Sequence, residues 1–223
     1  MACFSDRVEA GKRLASALAD FSGKDATVLA IPRGGVVVGF EIAKALALPL
    51  DVIIPRKIGA PGNPELAIGA MTEDGTIILD KELVAYMAVT TAYIKEESES
   101  QKQEIQRRLK MYRQNAPRPD LKGKDVIIVD DGIATGSTMK AALASVRNQG
   151  AKTVTVAVPV GPPSTIAELR RLADRVVCPY MPEYFAAIGQ FYRDFGQTSD
   201  EEVIDLLNRA RQEAEKTARM VKA

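Results

Sequence analysis

The sequence predicts an α/β fold: a mostly parallel twisted sheet flanked by helices on both faces, with a β-hairpin insertion and a small C-terminal hood. Two observations carry this. Short apolar runs, TVLAI (27–31), DVIIV (125–129) and TVTVAVPV (153–160), alternate with stretches of helical periodicity. Each of the first two runs feeds directly into a Gly-rich turn that opens a helix, as βαβ units do.

Taken in order, residues 5–20 read as a helix, with Val8, Leu14 and Leu18 apolar, small alanines between them and Ser5 as the expected N-cap. Strand 27–31 ends at Pro32-Arg33-Gly34-Gly35, a helix follows through Val36–Leu48, and DVIIP (51–55) is the next strand. Residues 56–78 hold four glycines and two prolines, so a specially shaped or mobile loop is expected before a hairpin turning at Thr72-Glu73-Asp74-Gly75. Residues 80–114 are mostly helical and highly charged, with sparse apolar positions at Ile94, Ile105, Leu109 and Tyr112. A solvated helix over one sheet edge is the plain expectation; a polar N-terminal part covering a site is the sharper one.

A Pro-containing loop (115–124) leads to the central strand, and TGSTMKAALASVRNQG forms a helix closed by Gly150. After strand 153–160 come a helix over 162–173 and a last strand at RVVCPY (175–180). Residues 181–195 are mixed and aromatic, and 199–218 form an amphipathic helix with Val203, Ile204, Leu206, Leu207 and Ala210 on its apolar face. The whole chain, 1–223, is expected as one domain: a core over about 1–178 with a flap region at 56–114, then the hood and final helix at 179–223.

Composition narrows the chemistry. Lys+Arg 30 against Asp+Glu 29 leaves a net charge of +1, so no global basic field for nucleic acid exists. No apolar run or signal-like segment points to a membrane, and two cysteines without a CxxC pair suit a reducing compartment, so a cytoplasmic location is expected. Histidine is absent, which removes His-based triads and His-ligated metals.

The informative string is VIIVDDGIATGST (126–138). Gly132 and Gly136 let backbone approach a ligand, successive N–H groups at the start of the following helix make an anion nest, and Thr135, Ser137 and Thr138 add hydroxyls. That is a cradle for a monophosphate, without the lysine of an ordinary P-loop. Asp130 and Asp131 beside it can accept hydrogen bonds from vicinal hydroxyls. Phosphate on one side and a diol on the other describe a ribose 5-phosphate. In a sheet of this kind, the loops PRGG, RKIG and DDGIATGST should gather at the carboxyl edge.

This string resembles the signature with which type I phosphoribosyltransferases bind phosphoribosyl pyrophosphate (PRPP). IPRGGVVVG (31–39) resembles that family's pyrophosphate loop. The opening pattern from Phe4 to Ala15 and RKIGAPGNPELAIGA (56–70) are similar to its uncharacterised "predicted phosphoribosyltransferase" subgroup. The resemblance implies transfer of the 5-phosphoribosyl group from PRPP to a nitrogenous base or amine acceptor, with release of pyrophosphate. By position, it implies that Asp130 and Asp131 take the ribose hydroxyls, and that Gly132, Ile133, Ala134, Thr135, Gly136, Ser137 and Thr138 take the 5-phosphate. Arg33, Gly34 and Gly35 would contact pyrophosphate, with a strained or cis peptide near Arg33-Gly34, and Lys57, with Arg56 beside it, would reach the same group. The catalytic set so implied is Arg33, Lys57, Asp130 and Asp131. Mg²⁺ is the implied cofactor, held mostly by PRPP and water, with Asp130 and Asp131 as its candidate protein ligands; a homodimer is the implied assembly.

Ala134 stands where 6-oxopurine enzymes of the family carry an aspartate, which argues against that acceptor class. The hood holds Tyr180, Tyr184, Phe185, Phe191, Tyr192 and Phe195, readable as a stacking platform for a base or as plain core under the tail helix, with Glu183 and Asp194 as polar groups that could read an acceptor. A PRPP- or nucleotide-sensing regulatory protein that keeps the site without turnover is the alternative, as is a hydrolase or lyase acting in the same pocket.

Overall fold

A computed structural model describes the backbone of residues 3–114 and 116–222, with side chains through 216; Asn115, the first residue of the expected 115–124 loop, lies outside them. Five parallel strands form the main sheet: β1 (Ala26–Ala30), β2 (Leu50–Val52), β6 (Asp125–Val129), β7 (Thr153–Ala157) and β8 (Arg175–Val177), in the order β2-β1-β6-β7-β8. A separate antiparallel sheet holds β3 (Arg56–Ala60), β4 (Asn63–Met71) and β5 (Ile77–Leu79). The helices are α1 (Arg7–Ala17), α2 (Gly34–Leu46), α3 (Lys81–Tyr86), α4 (Thr91–Arg113), α5 (Ser137–Asn148), α6 (Pro163–Leu169) and α7 (Asp200–Lys222). The α/β architecture and the flanking helices are as the sequence predicts.

Alternation along the central strands explains the layers. Val28, Ala30, Ile127 and Val129 are buried in one cluster with residues of α1, α2 and α7. Leu29, Val126, Ile128, Val154 and Val156 are buried in another with Met139, Leu143 and Val146 of α5 and Ile166 and Leu169 of α6. Both faces of a parallel sheet are thus covered, which is why its strands read as continuous apolar runs. Among the described residues no helix is long and apolar enough to cross a membrane.

Several sequence expectations need correcting. Asp6, not Ser5, caps α1, accepting from Glu9 N–H at 2.7 Å. The RKIG segment is not a loop at the end of β2 but strand β3, whose partner β4 supplies an antiparallel ladder from Arg56↔Met71 to Ala60↔Asn63. The turn at Pro61-Gly62 therefore makes a second hairpin beside the one anticipated at 72–75. The helical stretch 80–114 is broken after α3: Ala88 takes a positive φ, and Thr90 restarts the helix by accepting from Tyr93 N–H at 3.2 Å. α4 then lies over edge strand β2 with Ile105 and Tyr112 fully buried, in line with the plain expectation for this helix.

A buried ion network fastens the small sheet to the large one. Arg113, at the end of α4, donates from Nε to both Asp51 oxygens (2.9 and 3.2 Å) and from Nη2 to Val52 O (3.0 Å) and Glu73 Oε1 (3.3 Å). Arg118 joins Glu73 Oε1 at 3.0 Å. Asp51 is on β2 and Glu73 is in the β4–β5 turn, so one guanidinium spans both sheets. Burial pushes both carboxyls above their usual range, and Arg113 works against that push. Removing the cation leaves buried carboxylates uncompensated, so Arg113→Met is expected to lower stability by about 3 kcal/mol. The urea unfolding midpoint, compared with an exposed Arg107→Met control, measures this.

Candidate active site at the carboxyl ends of β1 and β6

β1 and β6 are hydrogen-bonded neighbours, in register from Ala26↔Asp125 to Ala30↔Val129. Their C-terminal loops are therefore adjacent. The loop after β1 carries Arg33, Gly34 and Gly35, and the loop after β6 carries Asp130 through Gly136. The cis peptide expected near Arg33-Gly34 falls one bond earlier, at Pro32-Arg33.

Each loop runs into a helix with no side-chain cap. Arg33 is the N-cap position of α2 and Gly136 that of α5, and neither offers a capping hydrogen bond. By contrast α1, α3 and α4 are each capped by a side chain: Asp6, Asp80 and Thr90. An uncapped helix start presents free N–H groups and the positive end of the helix dipole. Two such starts lie at adjacent strand ends, although at α2 the Val36 N–H already donates to Arg33 O at 3.0 Å; α6 (N-cap Pro162), after β7, likewise has no side-chain cap. Gly136 has φ +75°, a left-handed conformation that glycine takes without the Cβ penalty, and it turns the loop into α5. Thr135 Oγ1 and Ser137 Oγ lie 3.2 Å apart at this helix mouth.

Not every residue of the predicted string faces outward. Ile133 is buried, and its N–H donates to Val160 O at 2.9 Å, so it offers no donor to a ligand. The Ala134 carbonyl accepts from Thr165 Oγ1 at 2.8 Å. Gly132 lies under Ile188 of the hood, where a Cβ would meet Ile188 Cγ2 at 2.5 Å.

The acids are held closely. Arg7 Nε–H donates to Asp131 Oδ2 at 2.7 Å, with both side chains only 12% and 13% exposed. Tyr192 O–H donates to the Asp131 carbonyl at 2.6 Å, and Asp131 N–H donates to Asp130 Oδ1 at 2.8 Å. Burial, then the charge of Asp131, pushes the Asp130 carboxyl well above the usual carboxylate range, while the Arg7 guanidinium pulls the other way. Burial drives the Tyr192 phenol upward, keeping it a donor. Gly34 leaves the space Asp131 occupies: a Cβ there would overlap Asp131 Oδ2.

The basic residues divide. Arg33 faces Asp200 at 3.7 Å, and Asp200 also accepts from Tyr112 O–H at 2.5 Å. Arg56 turns to α4, donating to Gln101 Oε1 at 2.9 Å, while Lys57, its neighbour on β3, is exposed. The hood aromatics divide too. Phe191 and Tyr192 are buried with Phe4 and Val160, and Phe185, Ile188 and Phe195 pack on them. The plain-core expectation holds for these four rings, except that they pack against the N-terminal segment and not under the tail helix. Tyr184 is 90% exposed, and it lines an open groove of about 480 Å³ with Tyr180, Glu183 and Gln190. Asp194 accepts from Gly196 N–H at 3.1 Å and lines not that groove but a separate pocket with Asp6 and Arg7. Arg7 falls inside the opening Phe4-to-Ala15 pattern, but nothing local marks it or Asp200 as a residue whose partner is so distant along the chain.

A family model described as "Phosphoribosyl transferase domain" matches residues 6–195, the span that contains the starts of α2 and α5 and the acid pair. The chain belongs to the phosphoribosyltransferase domain family. A Mycobacterium tuberculosis (strain CDC 1551 / Oshkosh) protein named "Putative phosphoribosyl transferase MT0597" is 48% identical over 210 residues, covering 94% of this chain and 47% of that protein. Its counterpart in strain H37Rv matches equally. The chain thus spans about half the length of the curated relatives it matches. Among solved structures, TT1426 from Thermus thermophilus superposes with a TM-score of 0.80 at 43% identity, covering 94% of this chain and 99% of that one. Within this phosphoribosyltransferase domain, the contact of Gly34 with Asp131 is the tightest constraint on the site. Gly34→Ala is expected to push Asp131 off Arg7 and lower stability by about 1–3 kcal/mol, the scale of overpacking, measured by chemical denaturation.

Proposed function

We propose that this domain binds PRPP and transfers its 5-phosphoribosyl group to a nitrogenous acceptor, releasing pyrophosphate. The observation that carries the reading is the pair of uncapped helix starts of α2 and α5 at neighbouring strand ends, with Asp130 and Asp131 beside them. PRPP has two anionic ends and a diol between them, and this arrangement matches it group by group.

In this reading the N–H groups at the start of α5, with the hydroxyls of Thr135, Ser137 and Thr138, hold the 5-phosphate. Asp130 and Asp131 accept hydrogen bonds from the ribose hydroxyls. The start of α2 with Arg33 holds the pyrophosphate, and Lys57 on the exposed face of β3 adds charge as the hairpin approaches. The bond from C1 to the pyrophosphate oxygen breaks, the electron pair leaves with pyrophosphate, and the acceptor nitrogen attacks C1 and gives up its proton to pyrophosphate or water. Donors fixed beforehand at the leaving group lower the barrier as its charge develops. Arg33 must leave Asp200 to serve there.

Mg²⁺ suits this donor set only as a partner of the substrate. Among the described residues no group of three or more acidic or cysteine side chains could hold a metal, and a guanidinium already sits on Asp131 Oδ2. Asp130 is then the better protein contact, with the remaining shell from PRPP and water. When bound, the ion would neutralise pyrophosphate charge. Ala134 supports an acceptor other than a 6-oxopurine, and the Tyr180–Tyr184 groove with Glu183 suits a flat group with N–H donors. The same groove's openness favours, as a second reading, PRPP sensing without turnover.

Asp130→Asn combined with Asp131→Asn is expected to abolish calorimetric PRPP binding while the thermal unfolding profile stays cooperative; unchanged affinity would refute the site. A pyrophosphate-release screen with PRPP against bases and small amines separates transfer from sensing. Release of free phosphate instead would indicate hydrolysis.

A further inference from the structure

We propose that Arg7 is a positioning residue: it sets the Asp131 carboxylate for the ribose and ties that carboxylate to the hood. The proposal rests on the functional reading above and goes beyond it, because the residue stands outside every motif so far assigned a role.

Three contacts leave one guanidinium. Nε–H donates to Asp131 Oδ2 at 2.7 Å, Nη1–H donates to Gly196 O at 2.7 Å, and the group lies 3.8 Å from the Phe195 ring centroid. A planar fork with fixed donors can meet all three at once; an ammonium cannot. Arg7 is itself well fixed. It is the first residue of α1, immediately after its capping Asp6. The segment before it is laced to the hood: Phe4 bridges Tyr192, Arg193 N–H donates to Phe4 O at 2.9 Å, and Asp194 N–H donates to Ser5 O at 2.8 Å. Tyr192 O–H meanwhile holds the Asp131 carbonyl. The N-terminal segment and the hood therefore grip the same aspartate by its side chain and its backbone.

The arrangement answers a physical need. Two adjacent carboxylates repel, and a flexible pair would lose its geometry for a diol. A cation on one oxygen of Asp131 offsets the repulsion and fixes the rotamer. Supporting contacts of this kind are worth roughly tenfold to a hundredfold in ligand affinity or activity.

The test measures PRPP and inorganic pyrophosphate affinities by calorimetry for wild type, Arg7→Met, Arg7→Lys and Phe195→Leu. Arg7→Met is expected to weaken PRPP about tenfold or more while pyrophosphate, which the reading assigns to the Arg33 loop, binds unchanged. Arg7→Lys, which keeps a charge beside Asp131 but cannot also hold Gly196 O and Phe195, should recover part of the loss. Phe195→Leu should weaken PRPP by a smaller factor, and it keeps the test open if Arg7→Met does not fold. A packing role predicts the reverse order, since Met stacks on Phe195 at least as well as Lys. Retention of PRPP affinity in Arg7→Met, a Lys variant no better than Met, or equal loss for PRPP and pyrophosphate would each overturn the proposal alone. Absence of PRPP binding by wild type would overturn the functional reading and the proposal with it.

Discussion

The site depends on keeping two adjacent carboxylates at the end of a buried central strand. Asp130 and Asp131 follow Val129, which is fully buried, so their charges sit where solvent screens them poorly. Unopposed, they would repel each other. The chain answers with one guanidinium on Asp131 Oδ2, an Asp131 N–H turned onto Asp130, and a phenol on the Asp131 carbonyl. Each partner comes from a different part of the chain: Arg7 from the first helix, Tyr192 from the hood, and the space itself from Gly34 at the start of α2. The N-terminal segment, the hood and the β1–α2 turn are organised around that aspartate.

Helix starts here are of two kinds. A side chain satisfies the first amides of α1, α3 and α4, through Asp6, Asp80 and Thr90. The starts of α2, α5 and α6, each following a strand of the main sheet, go without. A short polar side chain there would add stability. Without one, the first amides are left to other acceptors.

The small antiparallel sheet follows the same logic of opposed charges at a distance from the site. Its turn residue Glu73 and the edge-strand Asp51 share Arg113, so two acids that burial disfavours are held by one base. Such a network adds less to net stability than equivalent apolar packing, yet it is strongly directional. It sets where the β4–β5 turn docks, and so where β3, with Arg56 and Lys57, emerges from the core.

Local rules made much of this legible. Apolar runs of strand length, helical periodicity and the Gly-rich turns after β1 and β6 suffice for the α/β class, because parallel strands buried on both faces must be continuously apolar. The thirteen-residue string 126–138 suffices for the acid pair and the glycine turn into a helix start, because a turn and a helix start are formed by consecutive residues. The sequence does not determine which atoms of that string face inward: Ile133 turns to the core and gives its amide to Val160, a consequence of the segment after β7 lying alongside. Nor does it say that RKIG forms a ladder with β4, that the hood rings pack on Phe4, or that Arg7 reaches Asp131. Those pairings join residues far apart along the chain, and no periodicity records them. Only the folded chain, by bringing distant charges and rings within hydrogen-bonding and packing distance, decides them.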